Sequence, residues 1–140
     1  MERLKIGQGW EHQVYQSRID GWVLKRPKTP VMIVNNLLGF GPEDIREELY
    51  HARLMVEKSD LVQIPDTRIF SIPRSVLGIN FNGYVIAQEF VQEDSSVDDI
   101  ESKLKNEGQT FLADRYAIMD KNFITHEGKV SLVDFTHTWG

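Results

Sequence analysis

Apolar and polar positions alternate, with breaks, from Leu4 to Pro27, a pattern that predicts two or three short strands. Val14 sits at the centre of the alternation in "HQVYQSRI", Asp20-Gly21 reads as a hairpin turn, and "WVLKRP" reads as an apolar strand closed by Pro27. Residues 28–41, "KTPVMIVNNLLGFG", read as irregular chain punctuated by Pro30, Gly39 and Gly41. A helix follows in "PEDIREELYHARLMVEKSD". Pro42 suits its first turn, acidic residues come next, and Ile45, Leu49, Ala52 and Val56 recur at helical spacing.

"IPDTRIFSI" and "NGYVIAQEFV" read as two strands, with a turn signal, Asn82-Gly83, just ahead of the second. "SVDDIESKLKNE" predicts a helix with Ser95 or Ser96 as N-cap and Gly108 as terminator, and "TFLADRYAIM" a third, short helix. The end, "NFITHEGKVSLVDFTHTWG", reads as a hairpin turning at Glu127-Gly128. The order is strand-rich, then helical, then a hairpin, which is an α+β arrangement.

The chain has 140 residues, enough for one domain with a modest core. A net charge of −5 argues against a surface built to coat nucleic acid. Cysteine is absent, so neither a disulfide nor a thiolate metal site is available. The N-terminus lacks the apolar run of a signal peptide and no stretch reaches membrane-span length, so a cytoplasmic protein without membrane contact is expected.

Four places carry candidate chemistry. Gly7 and Gly9 in "GQGWEHQVY" allow a backbone to approach a ligand that a Cβ would hold away, although two glycines near a turn are commonplace. Lys25 lies inside an apolar strand, where an ammonium must either reach solvent or meet an anion; Glu47 and Glu48 on the next helix are both offered. Gln88-Glu89-Phe90-Val91 ends a strand whose free backbone groups could pair with a planar heterocycle, or could simply lead into a polar linker. Asn122 and, twelve residues on, Asp134 supply an amide oxygen and a carboxylate, suitable ligands for Mg²⁺ with phosphate, although an Asp after a strand is also a common cap. His51, His126 and His137 show no ligand spacing, and Trp10, Trp22 and Trp139 read first as packing residues.

In their order and rough spacing these pieces resemble the protein-kinase-like superfamily, nearest its bacterial branch of aminoglycoside and small-molecule phosphotransferases. The resemblance implies a kinase-like N-lobe over residues 1–91, an antiparallel sheet with one αC-type helix. It implies a strongly reduced helical C-lobe over residues 92–140, ending in a β-hairpin and compact with the first part. ATP and Mg²⁺ are the implied cofactors. Gly7, Gly9 and Val14 would belong to the glycine-rich loop, and Lys25 would contact phosphate with Glu48 as its partner (Glu47 the alternative). Gln88 would be the gatekeeper, Glu89 and Val91 would offer backbone groups to adenine, and Asn122 and Asp134 would hold the metal.

The sequence also departs from that pattern. His12 stands where a third glycine is usual, and Thr136 takes the place of the glycine after Asp134-Phe135. The position of the family's catalytic aspartate, five before Asn122, is Ala117, and its histidine position is Arg115. Asp120 is the candidate base in a shortened loop, working with Lys25, and Asp114 is its alternative. Two functions follow: a phosphotransferase of weak or absent activity, or a pseudokinase that binds nucleotide and transfers nothing. A third reading is a small α+β interaction or regulatory module. The reduced lobe would expose apolar surface that a homodimer or a protein partner would cover.

Overall fold

The structure, a computed structural model, describes residues 5–8, 12–116 and 122–136. The chain is α+β, and its described residues divide into two compact units. The first takes the residues up to Glu47 together with Asp66–Phe90; the second takes Glu48–Pro65 and the residues from Val91 onward.

The first unit is built on a five-stranded antiparallel sheet. Its strands are β1 (Lys5–Gln8), β2 (His12–Gln16), β3 (Trp22–Pro27), β5 (Thr67–Val76) and β6 (Ile79–Glu89), ordered β1-β2-β3-β6-β5. Gly21, at φ 83°, closes the β2–β3 turn as the Asp20-Gly21 pair predicted. Buried Val23, Tyr84, Val85 and Ile86 supply the core of the sheet, each worth roughly 1.5–3 kcal/mol for an aliphatic side chain.

Three expectations are corrected here. Residues 28–41 are not irregular: α1 (Thr29–Leu37) occupies most of them. Pro30 falls in the first turn, where its missing N–H is not needed, so it starts the helix rather than breaking it. Two helices, not one, therefore stand between β3 and β5, the second being α2 (Pro42–Glu57). The turn between β5 and β6 is Leu77-Gly78, not Asn82-Gly83, which lies inside β6.

That interior glycine has a packing reason. A Cβ added at Gly83 would stand 2.6 Å from the backbone oxygen of Ile72, its partner across the ladder. Beside it, Asn36 of α1 takes the place of a neighbouring strand: its Oδ1 accepts from the Asn82 N–H at 2.9 Å and its Nδ2 donates to the Asn82 carbonyl at 3.0 Å. Because Asn82 turns these groups toward α1, Pro73 opposite it turns its nitrogen to the open edge of β5, where no ladder bond is lost. Arg46 of α2 covers part of the same edge, donating to the Ser71 hydroxyl at 2.8 Å and the Ile69 carbonyl at 3.4 Å.

The second unit takes the remainder of α2, whose Leu49, Ala52 and Val56 are buried at the predicted spacing. It adds β4 (Val62–Gln63), α3 (Ile100–Asn106), α4 (Thr110–Tyr116), β7 (Phe123–His126) and β8 (Lys129–Leu132). The small sheet is mixed, with β4 parallel and β7 antiparallel to β8. The terminal hairpin turns at Glu127-Gly128 as expected. The α3 cap is Asp99, whose carboxylate accepts from the Ser102 N–H at 3.1 Å, and neither Ser95 nor Ser96. Ser96 is engaged elsewhere, accepting from the Gly128 N–H at 2.9 Å. Among the described residues no helix is long and apolar enough to cross a membrane.

Two substitutions check this backbone. Gly83→Ala forces β5 and β6 apart and is expected to lower stability by roughly 1–3 kcal/mol in urea unfolding. Leu77 sits at φ 51° with 97% of its surface exposed, so Leu77→Asn relieves strain without loss of packing and should raise stability by roughly 1 kcal/mol.

Candidate functional site

The period of two in a strand decides which predicted residues share a surface. Val14, Lys25 and Ile86 stand side by side across β2, β3 and β6, and Val23, Gln88 and Thr67 stand side by side across β3, β6 and β5. Because these rows are two residues apart, Val14, Val23, Lys25 and Gln88 lie on one face of the first unit's sheet. Lys25 is half-buried between two aliphatic neighbours, which favours an anion near its ammonium. Gln88 is fully buried and donates from Nε2 to the Thr67 hydroxyl at 3.0 Å. Gly7 pairs with Val14 on β1, next to an irregularity in the register between Lys5 and Gly7; Gly9 lies outside the described residues.

His12 shares this face and has a structural task. Its side chain is buried and its Nε2 lies 2.7 Å from the Tyr84 hydroxyl, with the two rings edge-on at 5.8 Å. The alternation pattern carried the signal for this pair: His12 has the same parity as Val14, and Tyr84 the same parity as Ile86 and Gln88.

At the end of β6 the Glu89 N–H donates to the Asp66 carbonyl at 2.9 Å and the Phe90 N–H to the Gly21 carbonyl at 2.7 Å. Of its two backbone groups, Glu89 can therefore offer a ligand its carbonyl. Phe90 is exposed and Val91 half-buried.

The second unit holds the other set. The Asn122 carbonyl accepts from the Val133 N–H at 2.9 Å and the Asp134 N–H at 3.2 Å, which brackets the base of the β7–β8 hairpin. Its side-chain nitrogen donates to the Tyr116 carbonyl at 2.6 Å, so the amide oxygen is the atom it can present to a ligand. Asp134 Oδ1 accepts from the Thr136 hydroxyl at 2.9 Å and from the Thr136 N–H at 3.3 Å. Thr136, where the resemblance expects glycine, thus fixes the carboxylate. An amide oxygen and a carboxylate held at one hairpin base suit a hard cation that completes its shell with phosphate and water. Among the described residues no group of three or more His, Asp or Glu could hold a metal ion.

Glu48 lies half-buried on the α2 face of Ala52, whereas Glu47 is exposed. The Tyr116 phenol is buried and its pKa is raised, first by that burial. The Arg115 guanidinium works in the opposite direction, and the Glu48 carboxylate adds to the rise. Asn122 thus ties Tyr116 to the start of the segment from which Asp134 emerges. Lys25 belongs to the first unit and Glu48 to the second. Asp114 is exposed on α4, and Asp120 and Ala117 lie outside the described residues.

Sequence reasoning missed Asp94. Its carboxylate accepts from the Glu127 N–H at 2.8 Å and the Ser96 N–H at 2.9 Å, while its own N–H donates to the Thr125 carbonyl at 3.0 Å. These bonds tie the segment that follows β6 to the β7–β8 turn. No family model, curated protein or solved structure matches the chain.

The Asp94 tie has a pH signature. The Glu127 and Ser96 amides lower the pKa of its carboxyl below the ordinary value, and nearby His126 assists. A lowered folded-state pKa contributes stability that is present above the unfolded value, near 3.9, and is lost as pH falls through the folded value. Amide signals of Ser96 and Glu127 should therefore shift together below about pH 4 in an NMR titration. They should show no such step in Asp94→Asn.

Proposed function

We propose that the chain is a kinase-like nucleotide-binding protein that takes ATP with Mg²⁺ and has weak or no phosphoryl-transfer activity. The observation that carries this reading is the common face of Val14, Val23, Lys25 and Gln88. A glycine-entered hairpin, an ammonium in an apolar setting and a buried gatekeeper amide make up the half of a nucleotide site that the resemblance assigns to an N-lobe. The antiparallel sheet, with helices between β3 and β5, supports that assignment.

In this reading Lys25 neutralises phosphate charge and the apolar residues around it flank the base. The Glu89 carbonyl and the backbone of Val91 meet the adenine edge. The Asn122 amide oxygen and the Asp134 carboxylate hold Mg²⁺, with Thr136 orienting the carboxylate. Bound Mg²⁺ supplies charge neutralisation on the phosphate oxygens. Proton removal from an acceptor hydroxyl falls to Asp120. A non-catalytic role has its own support in Ala117, which stands where the resemblance expects the base.

Thermal denaturation with millimolar ATP, with and without Mg²⁺, tests the binding. A ligand at about 100 times its Kd should stabilise the chain by about 2.7 kcal/mol, read as a rise in Tm. Lys25→Met should remove most of that rise, and Asp134→Ala should remove only its Mg²⁺-dependent part while the ligand-free Tm stays nearly unchanged. No rise in the wild type sinks the reading. If ATP binds, phosphate release lost in Asp120→Asn identifies an enzyme, and absence of release in the wild type identifies a pseudokinase.

A further inference from the structure

The second unit carries a groove unrelated to any of these residues. It measures about 510 Å³ and is lined by His51, Leu54, Met55 and Lys58 from α2 and its end, and by Phe111 and Arg115 from α4. On α2 the four positions fall three, four and seven residues apart, a single stripe beside the buried stripe of Leu49, Ala52 and Val56. Leu54 and Phe111 are exposed, so the groove offers an apolar floor without a cover among the described residues.

Its charge is one-sided. All the ionisable groups lining it are basic, in a chain whose net charge is −5. Arg115 is held in place by its Nε donation to the Tyr116 hydroxyl at 3.2 Å and by its position over the Tyr116 ring. A groove with an apolar floor and cationic walls selects an acidic segment that also carries aliphatic side chains.

The chain itself contains such a segment. Residues 93–101, "EDSSVDDIE", hold five carboxylates and no cation. Asp94 is engaged with the β7–β8 turn and Asp99 in the cap of α3, but Glu93 and Asp98 stand exposed around half-buried Val97 and Ile100. We infer that the α2–α4 groove receives this acidic segment of a second copy of the chain. Val97 and Ile100 then rest on Leu54, Met55 and Phe111, and the carboxylates face Lys58 and Arg115. The two surfaces differ, so the contact closes as a dimer when each copy gives both surfaces and otherwise extends as a series.

Sedimentation velocity of the full chain over a range of concentrations tests this without nucleotide and so independently of the phosphate site. Wild type should associate reversibly at low salt and dissociate as salt is raised. Lys58→Glu and Asp98→Lys, both at exposed positions, should each weaken association about tenfold or more, with circular dichroism unchanged. An equimolar mixture of the two variants should recover association, because each reversed charge then meets its complement. A wild type that stays monomeric up to about 1 mM overturns the inference. So does association insensitive to salt and to both reversals, and so does a monomer that binds only a synthetic acidic peptide of unrelated sequence.

Discussion

A slip of one residue between β3 and β6 would put Gln88 on the opposite face of the sheet from Val23 and Lys25, and the first unit would lose its candidate site at one stroke. Several contacts hold that register. The tight turn at Gly21 fixes β2 against β3, and the His12–Tyr84 pair reaches across β3 from β2 to β6. At the far end, Gly83 admits the Ile72 carbonyl only at its own position, and Asn36 grips the next residue by both backbone groups. Each of these depends on a residue type that its neighbours could not replace. Lys25 is tolerated on an apolar face because the face is fixed, and it gains chemical interest for the same reason.

In the second unit the corresponding role falls to a few backbone bonds. One carbonyl, that of Asn122, accepts from two consecutive amides and so sets where Asp134 emerges from the hairpin. The Tyr116 carbonyl ties the end of α4 to this bracket by accepting from the Asn122 side chain. The Asp94 carboxylate secures the opposite end of the hairpin at its turn. A short hairpin of four-residue strands is thereby held at both ends by groups outside it.

The legible parts of the fold were those where periodicity and turn chemistry agreed. The α2 spacing, the Asp20-Gly21 turn and the final hairpin each combine a hydrophobic pattern with a residue suited to the turn or first helical position. The sequence misled where one residue had two meanings. Pro30 stops a helix in its interior but starts one in its first turn, and Asn82-Gly83 resembles a turn although Gly83 was needed for close strand packing. Leu77-Gly78 was missed because leucine is a poor residue for positive φ. At the candidate site, parity puts Val23 and Lys25 on one face of their own strand, but Val14 and Gln88 join them only through the register of β2 and β6 against β3. The Thr136 and Asp94 contacts were not legible, because side-chain bonds to a distant or local backbone leave no period in the sequence.

Strand β5 forms one border of the first unit's sheet, and one of its positions on the open side is Pro73. A foreign strand laid along this border would find no donor there, and toward the start of β5 it would meet the Arg46 guanidinium already on the Ile69 carbonyl. A ten-residue strand, exposed along most of its middle and partly apolar, would otherwise be a template for runaway pairing between chains. The border is instead chemically blunt, so growth of this sheet by recruitment stops at β5, and the chain can carry a long hairpin with exposed Phe70 and Ile72 without inviting fibrils along that side.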